Sequence, residues 1–437
     1  MFRKLLIANR GEIAVRLIKA CRQLNIQTVA VCSTVDRQAW YTQLADEVVC
    51  IGPAAATGSY LNAEAILMAA INTHADAIHP GYGFLAENAD FAAMCQECGI
   101  TWVGPSAAQI RLMGDKSLAK TYAQKQQVPV LAGQSIQGLT WPKIKQAALT
   151  IGFPLVLKAS HGGGGKGIRV LQTMADLHQQ LRVARQEAAA AFLNDAMYLE
   201  HYLPTARHIE VQVLGTGDQL LVLGDRDCSL QLHKQKVLEE SPASCLTAAQ
   251  RQTLYQLSRQ LLAQSHYQSL GTIEYLFAAG QFYFMEMNTR LQVEHGVTEL
   301  TTGIDIVQAQ LKQAAGVSLH LPVTTTKKVA IEARLTAVLP VEQTVISQFD
   351  WPTYARVDTG YRAGDHLVTM YDGLIAKLMV TGPTRAAAVA RLQTALAAVR
   401  LVGPATNLAF LQQTVARSAY QQDQFSIHSL AQWEAEQ

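Results

Sequence analysis

The sequence predicts a multidomain protein of mixed α/β and α+β class. Three observations carry this prediction: a strand, a helix and a strand follow one another over residues 4–32, a glycine-rich loop separates two strands near residue 160, and alternating strand patterns run from 327 to 380. A chain of 437 residues is too long for one ordinary core, which indicates two to four domains. We place three domains at residues 1–115, 116–320 and 321–437, with a lid at about 130–203.

Composition excludes several classes of protein. The formal net charge of +2 gives no reason to expect a nucleic-acid or membrane surface. No stretch reaches the roughly 20 apolar residues that span a membrane, and the apolar run at the N-terminus is too short for a signal peptide. Seven cysteines without a framework spacing indicate reduced thiols, and we expect Cys95 and Cys98 to be core or surface thiols. The protein is therefore expected to be soluble and cytoplasmic.

The first domain has the rhythm of a doubly wound parallel sheet. Residues 4–8 form an apolar strand, residues 12–23 carry apolar side chains at helical spacing, and residues 28–32 form the next strand. Residues 75–79 predict a later strand, followed by a loop that contains Tyr82. Ligands bind at the carboxyl ends of strands in such sheets, so Tyr82 is either a ligand contact or a packing aromatic at a rigid turn.

The glycine-rich loop, residues 159–167, lies between two predicted strands at 153–158 and 168–171. This setting excludes a P-loop and a dinucleotide-binding turn, because both lead into a helix. A flexible lid remains, whose amides approach phosphates closely because glycine has no Cβ. Lys158 and Lys116 would add positive charge, and a plain flexible linker is the alternative.

A hairpin of strands 271–277 and 281–286 carries carboxylates on both strands. With a three-residue loop at 279–281, Glu274 lies directly opposite Glu286. Two facing carboxylates repel each other unless a cation lies between them. Oxygen ligands from Glu274, Glu286 and Asn288 suit Mg²⁺ or Mn²⁺; the alternative is an exposed strand face with ordinary salt bridges.

Alternation continues past this hairpin and separates a chemical face from an apolar one. The polar face would carry Glu286, Asn288, Arg290, Gln292 and Glu294, although the strand need not extend to Glu294. Two other polar features have ordinary interpretations when taken alone. The segment 225–240 is typical of a solvated loop, and Arg334 is typical of a surface salt bridge.

The glycine lid, the lysines beside it and the carboxylate hairpin together resemble the ATP-grasp fold. Longer motifs resemble biotin carboxylase and run through most of the chain. They are Ile-Ala-Asn-Arg-Gly-Glu-Ile-Ala at 7–14, His-Pro-Gly-Tyr-Gly-Phe-Leu-Ala-Glu-Asn at 79–88, Arg-Leu-Met-Gly-Asp-Lys at 111–116, Lys-Ala-Ser at 158–160 and Glu-Met-Asn-Thr-Arg-Leu-Gln-Val-Glu-His at 286–295.

The resemblance implies an ATP-dependent ligase. ATP would phosphorylate bicarbonate to carboxyphosphate, and the carboxyl group would pass to a biotin on a biotin carboxyl carrier protein, because this chain has no Met-Lys-Met biotinylation site. With the carboxyltransferase subunits, this is the first half-reaction of acetyl-CoA carboxylase, which supplies malonyl-CoA for fatty acid synthesis. The resemblance also implies a homodimer, with Arg16 at an interface position, and two Mg²⁺ or Mn²⁺ ions.

The resemblance implies roles for individual residues as well. ATP would contact Lys116, Lys158, Gly163, Gly164, Gly165, Glu200, Leu203, His208, Gln231, Lys234, Glu274, Leu276 and Glu286. The metal ions would bind Glu274, Glu286 and Asn288. Bicarbonate would be held by Lys236, Arg290, Gln292 and Val293, with Glu294 as the base that deprotonates it. Biotin would meet Tyr82 and Arg334, and Arg334 would stabilise its enolate.

Several positions depart from the family pattern. Lys234 replaces a histidine that contacts nucleotide, His161 and His201 replace a glycine and a lysine, and Gly296 replaces a proline. The segment 336–345 is shorter and less polar than its family counterpart, which bears on the biotin pocket more than on the ATP site. Two alternatives therefore stay open, a carboxylate–amine ligase of the same fold and a divergent paralogue that regulates a true carboxylase.

Overall fold

The computed structural model describes residues 1–159, 169–192, 195–233, 235–319, 321, 328–338 and 344–436. Gly163, Gly164, Gly165 and Lys234 lie outside these residues, as does part of the altered segment 336–345.

The N-terminal part of the chain forms a five-stranded parallel sheet in the order β3-β2-β1-β4-β5. Successive residues of the first strand enter different cores: Leu5 and Ile7 pack with the first helix, whereas Leu6 packs on the other face. This confirms the predicted doubly wound sheet. Its elements are β1 Lys4–Ile7, α1 Gly11–Gln23, β2 Gln27–Ser33, α2 Trp40–Leu44, β3 Glu47–Gly52, α3 Ala63–Asn72, β4 Ala77–His79, α4 Ala89–Glu97, β5 Thr101–Trp102 and α5 Ala107–Gly114.

A small unit follows, built on a four-stranded sheet in the order β6-β9-β7-β8. Leu155 and Leu157 alternate on one face and pack with Leu177 and Leu199, which gives this unit a core of its own. Its elements are β6 Gly133–Ser135, α7 Trp141–Ile151, β7 Leu155–Ala159, β8 Arg169–Leu171, α8 Met174–Phe192 and β9 Met197–His201. The helix before this unit, α6 Lys116–Lys125, packs through Ala119 and Ala123 against Ile209 and Phe284 of the large sheet instead.

An eight-stranded antiparallel sheet, in the order β14-β13-β10-β11-β12-β15-β18-β17, forms the centre of the molecule. The pairing of β12 with β15 continues this sheet across residue 320, where we predicted a domain boundary. Its strands and the helices between them are β10 Arg207–Thr216, β11 Leu220–Leu232, β12 Gln235–Ser241, α9 Ala248–Leu262, β13 Gln268–Ala278, β14 Gln281–Asn288, α10 His295–Thr302, α11 Ile306–Ala314, β15 Val329–Thr336, β17 Arg356–Thr359 and β18 Leu374–Gly382.

The C-terminal residues cover one face of this sheet with helices. Leu392 and Leu396 of the first of these helices pack against Leu378 and Val380 of β18. The remaining elements are β16 Gln348–Asp350, α12 Arg385–Ala398, β19 Arg400–Val402, α13 Leu408–Ala416, α14 Ser418–Gln421 and α15 Ser429–Ala435. Among the described residues, no helix is both long and apolar enough to cross a membrane. All seven cysteines are free, with Cys95 buried and Cys98 exposed, as predicted.

The structure corrects the predicted hairpin loop. Ala278 pairs with Gln281, so the loop has two residues, Ala279 and Gly280, both with positive φ, as a tight hairpin turn requires. A β-bulge in β14 then restores the predicted partner, because Tyr275 pairs with Phe284 whereas Glu274 pairs with Glu286. The facing carboxylates were predicted correctly, but the loop length was wrong.

The structure also corrects the interpretation of residues 225–240 as a solvated loop. These residues form most of β11 and all but the end of β12, in the middle of the large sheet. Asp225, Arg226 and Glu239 have no exposed surface. These charged residues are buried because they pair with opposite charges inside the protein. The order of polar and apolar residues along the segment does not show such partners.

Candidate active site

Lys236 stands at the centre of a buried group of charges on the large sheet. Its ammonium group contacts Glu210, lies 2.8 Å from Glu294 Oε1 and lies 3.3 Å from Glu274 Oε1. Burial by itself would lower the pKa of Lys236, but the surrounding carboxylates hold it well above its ordinary value. The lysine is therefore a fixed cation. We name the acidic cluster for its members: Glu210, Glu239, Glu274 and Glu294, with Lys236, Arg226, His208 and Arg334.

Glu294 occupies the N-cap position of α10 and is fully buried. Its two carboxylate oxygens have different partners: Oε1 accepts from Lys236, and Oε2 lies 3.0 Å from Arg334 Nη2. Burial opposes ionisation of Glu294, but the charges of Lys236 and Arg334 outweigh it and lower the pKa of the carboxyl group. Glu294 is thus an ionised carboxylate between two cations, which suits a base that acts on an anion.

Arg334 is not the surface salt bridge that its strand pattern suggested. It lies on β15, its side chain is 15% exposed, and it bridges Glu239 at 2.5 Å and Glu294 at 3.0 Å. Burial raises the pKa of Glu239 to about 7, although Arg334 opposes the shift. Nε and Nη2 of the guanidinium both contact Glu239, and Nη2 also contacts Glu294, so the orientation of the side chain is fixed.

Arg226 supports the cluster from below. Its guanidinium is fully buried and donates to Glu210 Oε2 at 2.9 Å, to Gln212 Oε1 and to the hydroxyl groups of Thr272 and Thr298. These partners lie on two strands and one helix, β10, β13 and α10, so they fix Glu210 beneath Lys236. Neither Arg226 nor Glu210 was predicted as a site residue, because a lone charge on a strand reveals nothing of its partners.

Arg290 follows the end of β14 and is positioned by the N-terminal domain. Glu87 accepts from Arg290 Nε at 2.8 Å and from the backbone amide of Thr289 at 3.2 Å. The other guanidinium nitrogens donate to Asn288 Oδ1 and to Gln292 Oε1. Glu87 lies within the 79–88 motif, but its role as an anchor for the arginine was not predicted.

The predicted metal ligands lie together on the hairpin. Glu274 faces Glu286 across β13 and β14, and Asn288 Nδ2 donates to Glu274 Oε1 at 2.5 Å. These oxygen donors fit Mg²⁺ or Mn²⁺. Because Asn288 Oδ1 accepts from Arg290, Asn288 would turn its amide to offer that oxygen to an ion beside Glu274. A bound ion would polarise phosphate oxygens at this hairpin.

His208 and Gln231 lie beside the same hairpin. His208 Nε2 lies 2.9 Å from Glu274 Oε2, and its Nδ1 lies 2.8 Å from the amide nitrogen of Gln231. Burial opposes protonation, but Glu274 and Glu210 raise the pKa of His208 to about 9. Leu276, directly opposite His208 on β13, contributes an apolar side to this corner.

Lysines from helix α6 and from β7 of the small unit face the hairpin, and we call this group the lysine cluster: Lys116, Lys120 and Lys158, with Glu200 and Glu286. Lys116 lies 2.9 Å from Glu286, whereas Lys158 lies 2.6 Å from Glu200 and Lys120 contacts the other oxygen of that carboxylate. The ammonium groups of Lys120 and Lys158 also lie over the ring of Tyr198. Leu203 follows in the turn after β9, and Lys120 was not predicted.

Tyr82 lies in the loop after β4, between two glycines with positive φ. Its hydroxyl group donates to Glu12 on α1. Burial and the carboxylate of Glu12 raise the pKa of Tyr82 well above its ordinary value, while the charge of Arg334 acts in the opposite direction. Tyr82 is therefore a neutral donor on the Arg334 side of the site.

Two further features of the family pattern have a structural explanation. A Cβ at Gly296 would lie 2.3 Å from Met379 Sδ, so the sulfur fills the space that a proline ring would need. Arg16, expected at a dimer interface, is 8% exposed in the single chain and pairs with Glu299 and Asp305.

Family models match nearly the whole chain. The biotin carboxylase N-terminal domain matches residues 1–110, the carbamoyl-phosphate synthase L chain ATP-binding domain matches 115–321, and the biotin carboxylase C-terminal domain matches 329–432. A biotin carboxylase from Pseudomonas aeruginosa is 43% identical over 443 residues, which cover 98% of each chain.

Solved structures agree with these matches. The biotin carboxylase–β,γ-ATP complex from Campylobacter jejuni has a TM-score of 0.95 at 36% identity and covers 99% of each chain. The biotin carboxylase domain dimer of Hydrogenobacter thermophilus 2-oxoglutarate carboxylase, with MgADP, ADP and bicarbonate, has a TM-score of 0.94 at 38% identity and covers 99% of this chain and 98% of its own.

The fold and the site thus define an ATP-grasp enzyme of the ligase type. More narrowly, the chain belongs to the biotin carboxylase family, whose reaction is the ATP-dependent carboxylation of biotin. The resemblance inferred from the motifs is confirmed.

Proposed function

We propose that this chain is a catalytically active biotin carboxylase that uses the residues of the acidic cluster for its chemistry. Glu294 takes the proton of bicarbonate, and a bicarbonate oxygen attacks the γ-phosphorus of ATP, which gives carboxyphosphate and ADP. The carboxyl group then passes to the ureido nitrogen of a biotin carried by another protein, as the bond between carboxyl carbon and phosphate oxygen breaks and inorganic phosphate leaves with the proton that the nitrogen gives up. Arg334 and Tyr82 meet the biotin, and Arg334 stabilises its enolate as the nitrogen loses a proton.

The observation that carries this proposal is the double ion pair of Glu294. A carboxylate that is fully buried between Lys236 and Arg334 is ionised, oriented and shielded from water. These are the properties of a base that must approach an anion. Lys236, Arg290, Gln292 and the amide of Val293 would hold the bicarbonate, since all four lie beside this carboxylate in sequence or in space.

ATP and Mg²⁺ are proposed as the nucleotide and the metal. The solved relatives contain MgADP, ADP and β,γ-ATP, and here the lysine cluster lies next to the Glu274–Glu286 pair. Lys116, Lys158, His208 and Gln231 would contact phosphates or ribose, with the backbone of residues 200–203 at the adenine. Gly163, Gly164, Gly165 and Lys234 remain predicted contacts. Two Mg²⁺ or Mn²⁺ ions would be held by Glu274, Glu286 and Asn288.

For the wider reaction we propose the first half-reaction of acetyl-CoA carboxylase. A biotin carboxyl carrier protein would bring the biotin, and carboxyltransferase subunits would use the product for malonyl-CoA and fatty acid synthesis. The similarity to proteins named biotin carboxylase supports this choice, whereas the domain from 2-oxoglutarate carboxylase shows that the same fold serves other acceptors. We also propose a homodimer, because that relative's structure is a dimer. A cytoplasmic location completes the proposal.

The experiment that tests the proposal measures ADP release by the purified chain with ATP, Mg²⁺ and bicarbonate, with and without free biotin. We expect turnover that requires bicarbonate and rises with biotin. Nucleotide binding without biotin-stimulated turnover would overturn the proposal and favour a divergent regulatory paralogue. Stimulation by an amine instead of biotin would indicate a carboxylate–amine ligase.

A further inference from the structure

Lys377 joins segments from the three family-matched parts of the chain. It lies on β18 and has no exposed surface. Its ammonium group donates to the carbonyl oxygen of Val293 at 2.8 Å and lies 3.0 Å from Glu12 Oε1. Glu12 belongs to the N-terminal match, Val293 to the ATP-binding match and Lys377 to the C-terminal match. One buried cation therefore connects all three.

Glu12 extends this connection to the biotin side of the site. The hydroxyl group of Tyr82 donates to Glu12 Oε1, the oxygen that also faces Lys377. The other oxygen, Glu12 Oε2, is buried and has no hydrogen-bond partner among the described residues. Tyr82 is thus linked to the carbonyl of Val293 through two buried charged side chains, and the link has no exposed member that water could replace.

The charge on Lys377 is balanced on several sides. Asp358 Oδ2 lies 4.0 Å away on β17, and Glu332 lies on the adjacent strand β15. Burial alone would lower the pKa of Lys377, but Glu12, Glu332 and Asp358 raise it above its ordinary value. A permanently charged lysine without solvent is costly unless its partners are fixed. Its surroundings therefore determine where the Val293 carbonyl lies.

We infer that Lys377 is a positioning residue that fixes the bicarbonate-holding Val293 segment relative to the biotin-facing Tyr82. The inference rests on the proposed function. The carbonyl of Val293 and the amide of Glu294 belong to the same peptide group, so Lys377 also fixes the backbone of the base. Lys377 touches no reacting atom, and it acts on both bicarbonate and biotin through the segments that it holds.

The test compares Lys377→Met with the wild-type enzyme in ADP-release assays that vary ATP, bicarbonate and free biotin separately. We expect the KM for bicarbonate and the KM for biotin each to rise about 10-fold or more, because misplacement by a fraction of an ångström is costly. The KM for ATP should change less than about 2-fold, since Lys116 and Lys158 pair with Glu286 and Glu200 instead. Lys328→Met, at an exposed lysine, is the matched control.

A second variant keeps the inference testable if Lys377→Met does not fold, as judged by circular dichroism and thermal unfolding. Glu12→Gln retains an oxygen for Tyr82 but loses the charge that faces Lys377. We expect a rise of about 5-fold in the KM for biotin and less than about 2-fold for bicarbonate, because the bond from Lys377 to Val293 remains.

In either folded variant, a KM for biotin and a kcat that both stay at the wild-type values, or equal rises in all three KM values, would overturn the inference and leave Lys377 a purely structural residue. A wild-type chain without bicarbonate-dependent ADP release would instead overturn the proposed function on which the inference rests. The two failures are distinguishable, because one appears in the variants and the other in the parent enzyme.

Discussion

The acidic cluster and the lysine cluster face the same site but balance their charges differently. In the acidic cluster, each carboxylate has at least one cationic partner within 4 Å, and Glu294 has two. In the lysine cluster, the three lysines pair with two carboxylates among the described residues, those of Glu200 and Glu286. Burial and the neighbouring lysines lower the pKa of Lys120 to about 6 and that of Lys158 to about 8. The first region has a counter-charge for every carboxylate, whereas the second has more amines than carboxylates and holds protons on them weakly.

The difference follows from what each region must do. Phosphate groups carry several negative charges, and they favour the protonated form of lysines whose own counter-charges are too few. A base must be ionised and fixed before its substrate arrives, which requires that its counter-charges belong to the protein. The two regions also differ in construction, since the acidic cluster lies mainly on the large sheet, whereas the lysine cluster combines helix α6, strands β7 and β9 of the small unit and strand β14.

The substitution with the largest expected effect is Glu294→Gln, which tests whether the acidic cluster supplies the base. A glutamine keeps the size of the side chain but cannot accept the bicarbonate proton, so we expect bicarbonate-dependent ADP release to fall by about 10²- to 10⁴-fold. Calorimetry should show nucleotide affinity within about 3-fold of the wild type. Glu97→Gln, at an exposed glutamate, is the control, and retained turnover in Glu294→Gln would remove this residue from the role of base.

The complementary change in the lysine cluster is Glu200→Gln. A neutral amide removes the carboxylate that Lys120 and Lys158 share. This change disfavours the protonated forms of both lysines further and removes the group that orients them. We expect the KM for ATP to rise about 5- to 10-fold, equivalent to 1–1.4 kcal/mol, with the KM for bicarbonate little changed. Equal losses for both substrates would show that the two clusters are not independent.

The smallest effect concerns Glu332, which faces Glu239 across β15 and β12 and has no hydrogen-bond partner for either oxygen among the described residues. Burial and the charge of Glu239 raise the pKa of Glu332 well above its ordinary value, and burial raises that of Glu239 to about 7. Between about pH 4.5 and 7 the folded protein holds protons that the unfolded chain has lost. Stability therefore decreases as the pH rises through this window.

Glu332→Gln should reduce that loss, because a neutral amide replaces a carboxyl group that resists ionisation. We expect thermal unfolding scans to show a melting temperature higher than the wild type by about 2 °C or more at pH 8, with a smaller difference at pH 5. An unchanged dependence of stability on pH would mean that Glu332 does not titrate in this range.

The features that depend on residues close together in the chain could be predicted from the sequence alone. The parallel sheet of the first domain followed from the spacing of strand, helix and strand, and the metal hairpin followed from alternation along two adjacent strands. The motif around Glu294 and its similarity to a known family then indicated the chemistry. In each case the informative residues lie within a few positions of one another, so their geometry can be read from spacing.

Only the folded structure shows which distant groups pair with one another. Arg226 and Glu210 are 16 residues apart, Arg334 and Glu294 are 40 apart, and Lys377 and the Val293 carbonyl are 84 apart. The first pair depends on the register of β10 and β11, whereas the other two join a strand to the turn before α10, and only the packing of distant segments brings these together. For that reason the segment 225–240 was predicted to be solvated and proved to be buried: a charged residue belongs in the core when its partner arrives from another part of the chain.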